Sequence, residues 1–322
     1  MTKKASVVLV NYNGMPHLDA CISSVLQQSY TNFEVIFVDN NSNDASLEYA
    51  RSQFPDLIFV TNNENLGYAG GINSGLAHAN GEYIAPLNID TEVTPNWLSS
   101  MVAFLDENPQ AGAVTPKVLL FDDHTKINAL GLNIHIAGLG FCRGLGKEDN
   151  ISVIPENVPG VSGCSYLIRR PLFEQMGGAP EWCFMGNDDV IVSWLLRLMG
   201  YEVYCLPESV VFHKYSLKMS PEKLYRLEKN RHILLLSTLK LLTLVACLPI
   251  LLAIDFMIVA YSLIKGRPYV KAKFAALASL WRERRSIKQR RAQYQSLRKV
   301  SDSYLFRRLN WNLTWSQLWG IR

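Results

Sequence analysis

The chain opens as short apolar runs broken by polar clusters. Ser6–Val10 is rich in Val and is followed at once by Asn11-Tyr12-Asn13-Gly14, which predicts a buried strand ending in a loop. Pro16 is placed to open a helix as its first residue. Leu18, Cys21, Ile22, Val25 and Leu26 then fall at helical spacing. Val35–Val38 reads as a second buried strand, stopped by the polar run Asp39–Asp44, with a helix over Ala45–Phe54. Leu57–Val60 is a third strand, Asn62–Gly67 a loop and Tyr68–Ala79 a helix. Tyr83–Leu87, Pro95–Leu105 and Gly112–Thr115 continue as strand, helix and strand. Strands alternating with helices at this spacing predict an α/β fold with a mainly parallel sheet. Ligands of such sheets bind outside the carboxyl ends of the strands. The loops Asn11–Gly14, Asp39–Asp44 and Asn88–Thr91 all leave those ends, so their polar side chains gather on one rim.

From Ile233 the pattern changes. Leu241–Ile264 is a block of 24 residues with one charge, Asp255, and one proline, Pro249, bracketed by Lys240 and Lys265. A basic stretch follows, then Trp311, Trp315 and Trp319 at intervals of four. Two regions are expected: residues 1–232, and a helical, membrane-associated region over 233–322. The net charge of +4 hides a split. Residues 265–299 carry +11 and residues 300–322 carry +2, which leaves −9 for residues 1–264. A basic tail on an acidic body points to an anionic surface, and the adjacent apolar block favours a membrane over nucleic acid. The six cysteines are scattered with no C-x-x-C pair. This argues against a zinc site and suits a reducing compartment. The apolar run at Ala5–Val10 is too short for a signal-peptide core.

Several polar positions carry candidate chemistry. Asp39 ends the second strand, where a carboxylate can accept from a ribose hydroxyl or a base N–H; a turn or capping role is the alternative. Asn88 and Asp90 flank one residue after the fourth strand, and a carboxylate there suits a hard divalent cation on phosphate oxygens. In Asn63–Gly75 the glycines allow either close approach to a ligand or close helix packing. Asp188-Asp189 is an acidic pair beside apolar and aromatic runs. One of the two could act as a general base, or both could sit at an exposed helix N-terminus. His213 follows the apolar Val210–Phe212, and a lone His there is equally compatible with a structural role.

Taken in order, Asn11-Tyr12-Asn13-Gly14, Val38-Asp39-Asn40-Asn41-Ser42, the Asn65–Gly75 loop, Leu87-Asn88-Ile89-Asp90-Thr91, Gly160-Val161-Ser162-Gly163, Asp188-Asp189 and His213 resemble family 2 glycosyltransferases. Within that family the pattern is most similar to the rhamnosyltransferase-like enzymes of bacterial surface polysaccharides. The resemblance covers about residues 5–235. It implies a GT-A nucleotide-diphospho-sugar transferase fold and an inverting mechanism. Asn11, Tyr12, Asn13, Asp39, Asn65, Gly67, Asn73, Asn88 and Asp90 would face the nucleotide-sugar donor, with Asp39 at the nucleoside. Asp90 and His213 would hold Mg²⁺ or Mn²⁺ on the diphosphate. Asp189 would be the general base, with Asp188 beside it.

Departures are visible as well. Asn88 replaces the first D-x-D carboxylate, Asp188 stands where the family has Glu, and Ile191 and Leu195 replace an acid and an arginine. No Q-x-x-R-W follows Asp189, and there is one long apolar block. Single sugar addition is therefore expected in place of processive extrusion, onto a glycan or lipid-linked acceptor. A dehydrogenase is disfavoured because Asn11–Gly14 stands where G-x-G-x-x-G is needed. A P-loop enzyme and a sugar-nucleotide pyrophosphorylase lack their glycine-rich loops here. A non-catalytic scaffold on the same fold is the alternative, since fold does not fix function. The expected site of action is the cytoplasmic face of the cell membrane. There Pro249 would divide the apolar block into a re-entrant hairpin or leave an in-plane element.

Overall fold

The computed structural model describes residues 4–150, 154–215 and 218–318. The chain divides into two compact units. The first comprises Met1–Leu132, Cys142–Leu196 and Tyr201–Tyr215; the second comprises Asn133–Phe141, Arg197–Gly200 and Ser216–Arg322.

The first unit begins with alternating strands and helices: β1 (Ala5–Asn11), α1 (Leu18–Leu26), β2 (Phe33–Asp39), α2 (Ser46–Gln53), β3 (Ile58–Thr61), α3 (Gly67–Leu76) and β4 (Tyr83–Asn88). Then come β5 (Thr91–Val93), α4 (Trp97–Glu107), β6 (Ala111–Leu120) and β7 (Asp123–Ala129). A short two-stranded ribbon, β8 (Leu132–Ile134) with β9 (Gly140–Cys142), precedes β10 (Glu156–Asn157), β11 (Leu167–Arg169), α5 (Arg170–Gln175), α6 (Asp188–Leu198) and β12 (Glu202–His213). The main sheet runs β10-β12-β6-β11-β4-β1-β2-β3, with β5 paired to β12 and β7 to β6. β1 pairs in parallel with β2 and β4, β2 with β3, and β6 with β12, while β11 runs antiparallel between β4 and β6. All seven residues of β1 are buried, as a strand covered on both faces requires.

The expected βαβ order is present, with small shifts. Pro16 lies in the turn before α1 and not in its first helical position; the His17 N–H donates to the Gly14 carbonyl at 2.9 Å there. The glycines of α3 serve packing. A Cβ on Gly71 would press on Val10, and one on Gly75 on Val8 and Val38. Their absence of side chains lets α3 lie directly on β1 and β2.

The second unit takes in most of the β8–β9 ribbon and is otherwise mainly helical: α7 (Pro221–Thr238), α8 (Leu241–Lys265), α9 (Arg267–Arg282), α10 (Arg284–Leu297), α11 (Asp302–Arg307) and α12 (Trp315–Leu318). Residue 232, where the composition changes, lies inside α7. Ser220 caps α7 by accepting from the Lys223 N–H, and Pro221 stands first in the helix. At its far end, Arg291 donates to the Leu236 and Leu239 carbonyls, 2.7 Å each, and Gln295 to the Thr238 carbonyl at 2.6 Å.

α8 corrects an expectation. It runs unbroken from Leu241 to Lys265 with Pro249 inside it, so the apolar block does not turn back as a re-entrant hairpin. A proline removes one backbone donor and bends a helix, but the turns on either side keep their own bonds. Among the described residues, α8 is the one helix long and apolar enough to cross a membrane, by length and composition. Leu242, Val245, Leu252 and Phe256 are exposed, so it is not a buried core helix. Trp311 and Trp315 are exposed too; Trp319 lies outside the described residues.

Candidate active site

The carboxyl ends of β1, β2 and β4 meet as the parallel register requires, with Asn11 opposite Asp39 and Val10 opposite Asn88. Asp39 is buried, and its Oδ1 accepts from the Asn11 amide at 2.9 Å while its Oδ2 accepts from the Ser42 N–H at 3.1 Å. Asn11 also donates to Ser46 Oγ at 2.8 Å. Asn13 and Asn41 both adopt positive φ, 55° and 63°, a conformation Asn tolerates. The Asn13 Oδ1 accepts from the Asn43 N–H at 2.7 Å, and Tyr12 beside it is exposed. A second knot forms around buried Asn40. Its amide donates to Asn65 Oδ1 and to the Gly67 carbonyl, at 3.0 and 2.9 Å, and its Oδ1 accepts from the Leu66 N–H.

Gly67 sits at φ 74°, where a Cβ would collide with the Phe184 carbonyl. Asn73, expected at the donor, is engaged elsewhere. Its Nδ2 donates to the Ala179 carbonyl and to Glu181, and its Oδ1 accepts from the Ala179 N–H, at 2.7–2.9 Å. That side chain anchors the loop ahead of α6.

β5 folds back antiparallel on β12 and pairs His213 with Thr91. This brings His213 Nε2 within 3.5 Å of Asp90 Oδ1. The His213 Nδ1–H donates to Asn128 Oδ1 at 2.9 Å, which orients the ring and turns Nε2 toward Asp90. Burial opposes charge on His213, but Cys164 and Asp90 outweigh it and raise its pKa to about 10. Burial likewise works against the Asp90 carboxylate, and His213 lowers its pKa. A cation would displace the Nε2 proton, and one carboxylate oxygen with one oriented imidazole nitrogen is a donor set that fits Mg²⁺ or Mn²⁺. At 3.5 Å they are close enough to share one ion. Lys214 adds a cation to this rim, with its Nζ 3.1 Å from His17 Nδ1 and 4.4 Å from the Phe121 ring centroid.

Asp188 and Asp189 open α6. The Asp189 Oδ2 accepts from the Gly163 N–H at 3.1 Å and its Oδ1 from the Val190 N–H at 2.8 Å. One turn on, Ser193 Oγ accepts from the Val161 N–H at 3.0 Å, so one face of α6 grips residues 161–163. A Cβ on Gly163 would lie 2.8 Å from Asp189 Oδ2. The same turn reaches the other half of the site: the Cys164 carbonyl accepts from the Asn88 N–H at 2.9 Å, and the Cys164 side chain neighbours His213. Burial, then the Asp188 charge, push the pKa of Asp189 up to about 7; burial raises that of Asp188 as well. The loop before the pair is strained, with Phe184 and Asn187 at φ 60° and 64°.

Asp39, Asp90, Asp189 and His213 were candidates from the sequence, Asn40 stood only within the Val38–Ser42 motif, and their neighbours Asn128, Cys164, Ser193 and Lys214 were not singled out. Lys214 alone carried a signal, its place next to His213. In the second unit, Glu228, His232 and Asp255 bring their ligand atoms within 4.8 Å. Arg231 and Lys273 already bond both carboxylates there, so no surplus negative charge remains for a dication.

Residues 6–177 match the family described as glycosyl transferase family 2. The chain belongs to that family. Among curated relatives, a poly-beta-1,6-N-acetyl-D-glucosamine synthase of Staphylococcus aureus is 28% identical over 229 residues, 70% of this chain and 52% of that protein. An uncharacterized glycosyltransferase of Haemophilus influenzae is 31% identical over 112 residues, 34% of this chain and 35% of that protein. The chain thus spans about half the length of the first relative and about a third of the second. Among solved structures, the mannosyltransferase PcManGT of Pyrobaculum calidifontis, determined with GDP-Man and Mn²⁺, aligns with a TM-score of 0.55 at 20% identity, covering 100% of this chain and 89% of that one. The fold is GT-A.

Proposed function

We propose that the protein transfers one hexose-class sugar, with inversion and with the help of a divalent metal, from a nucleotide sugar to a glycan acceptor carried on lipid. The reaction would take place at the cytoplasmic face of the cell membrane, in surface-polysaccharide synthesis. The observation that carries this reading is Asp189. It is a carboxyl with a pKa of about 7, held by two backbone N–H groups and joined through the Gly163–Cys164 turn to the Asp90–His213 rim. A base with a pKa near the working pH combines the correct protonation state with sufficient proton affinity.

In this reaction Asp189 takes the proton of the acceptor hydroxyl while that oxygen attacks the anomeric carbon. The bond from that carbon to the diphosphate oxygen breaks, and the nucleoside diphosphate departs with the electron pair. Asp39, held by Asn11 and Ser42, orients the nucleoside. Asp90 and His213 would hold Mg²⁺ or Mn²⁺, which supplies neutralising charge at the departing diphosphate. Lys214 adds a fixed positive charge to the same rim. Support for the donor class comes from the structural neighbour solved with GDP-Man, and support for the membrane setting from the exposed apolar α8.

A panel of nucleotide sugars, tested on the full chain with Mg²⁺, Mn²⁺ or chelator, checks the reading. One donor is expected to turn over only with metal and to give a product of inverted anomeric configuration. Retention of configuration, or undiminished turnover in excess chelator, would overturn it.

A further inference from the structure

α8 is two-sided. Its exposed side carries Leu242, Val245, Leu252 and Phe256, exposed by 84, 63, 57 and 77%, and no charge. Its other side buries Ile254, Ile258 and Ser262 and packs with Leu224 of α7 and with Tyr269 and Ala272 of α9. Asp255 belongs to that packed side. Its Oδ1 accepts from Arg231 of α7 and from Lys273 of α9, at 2.6 Å each, and Oδ2 lies 3.2 Å from His232 Nε2. Arg231 also donates to both oxygens of Glu228 at 2.8 Å, and Lys273 bonds Glu228 in turn. Arg231, Lys273 and Glu228 are fully buried.

Resting on the membrane setting proposed above, we infer that α8 is an in-plane membrane helix and not a span. Its Leu242–Phe256 face enters the acyl boundary of an anionic bilayer, and the Asp255 network clamps its other face to α7 and α9. Asp255 is residue 15 of the 25 in α8, about 21 Å along the axis at 1.5 Å per residue. A crossing helix would carry it near the bilayer centre together with Arg231, Lys273, Glu228 and His232, or would strip those partners away and leave buried charges unpaired. Lying flat, the helix keeps every charge on the watery side. It also keeps Lys240 and Lys265 on one side, the side of the basic stretch, as the positive-inside rule demands.

Charge selects the occupant. Residues 265–299 carry +11, and α9 exposes Lys271, Phe274, Trp281 and Arg282 together, a mixture suited to headgroups and their boundary. A second copy on this face would bring two such cationic regions together.

The test is depth. Full-length protein carrying Cys247→Ser with Leu242→Cys, Leu252→Cys or Phe256→Cys is labelled with an environment-sensitive fluorophore. It is then bound to vesicles of phosphatidylcholine with phosphatidylglycerol containing lipids brominated at defined acyl positions. All three labels are expected at one shallow depth. A label at Leu252 lying near the bilayer centre with Leu242 near a surface would overturn the inference. In flotation, Leu252→Asp with Phe256→Asp should weaken vesicle binding by at least about tenfold, and unchanged binding would also overturn it. Turnover of a nucleotide sugar is read separately. Vesicle binding without turnover would count against the proposed reaction alone, and turnover without binding against the membrane helix alone.

Discussion

The proposed reaction concentrates its chemistry in Asp189, and the environment of that side chain makes the expectations specific. Asp189→Asn keeps the hydrogen-bond acceptor toward Gly163 but cannot take a proton. Turnover should fall by ~10²–10⁴ while donor affinity stays nearly unchanged, as rapid-quench kinetics and calorimetry would show. With the pKa at about 7, kcat/KM should drop about tenfold per pH unit below 7 and level off above it. The folded-state pKa lies above the ordinary carboxylate value, so ionisation costs stability as pH rises from about 4 to 7. Asp189→Asn should therefore raise the Tm at pH 8 relative to wild type, and not at pH 4. Gly163→Ala tests positioning, because the added Cβ meets Asp189 Oδ2. Turnover should fall with the fold and donor binding intact, and wild-type turnover would show that the contact is irrelevant. Asp39, Asp90, Asp189 and His213 were legible because short polar residues follow apolar runs at each place. Asn128 was not, because the contact it makes with His213 spans 85 residues and nothing local marks it. The partners of Asn73 were hidden for a related reason: an Asn in a glycine-rich helix looks the same whether it faces a ligand or a loop 106 residues away.

The elements show the same division between local and distant information. The strands and helices through β4 followed from periodicity, because each is a simple apolar run or stripe. The return of β5 onto β12, which brings Asp90 to His213, depends on a pairing across more than 110 residues. Proline is the strongest local breaker signal, which is why a hairpin at Pro249 was one of the two expectations for the apolar block; α8 runs unbroken and excludes that one, leaving the in-plane element. Asp255 stood out as the one charge in an apolar block, but its partners lie 24 and 18 residues away on other helices. The network they form should be costly to open. Lys273→Ala leaves Glu228 and Asp255 sharing one fewer cation and should destabilise the fold by ~3–5 kcal/mol, measured by urea denaturation. Burial alone would raise the pKa of Glu228, but Arg231 and Lys273 hold it down to about 2. A depressed carboxylate contributes stability in full above its ordinary value near 4.5 and loses it as pH falls toward 2. The gap between wild type and Lys273→Ala should narrow across that window.

At the scale of the whole molecule, a catalytic unit and a basic, apolar-faced helical unit share one chain. On the proposed reading, a lipid-held acceptor and a lipid-held enzyme would meet at the effective concentration of a surface, not of bulk solution. The two kinds of attachment should respond differently to salt. Each Lys or Arg near an anionic surface contributes ~1 kcal/mol, and this contribution is screened within a Debye length of about 8–10 Å at moderate ionic strength. Apolar burial of the α8 face does not depend on salt in that range. Raising the ionic strength should therefore weaken binding to vesicles of phosphatidylcholine with phosphatidylglycerol by at least about tenfold without abolishing it. Leu252→Asp with Phe256→Asp should make the remaining binding fully salt-reversible. Transfer to a lipid-linked acceptor in those vesicles should follow the bound fraction, and transfer to a water-soluble acceptor should not. Equal salt sensitivity of the two reactions would show that the basic stretch acts on catalysis itself and not on the surface encounter.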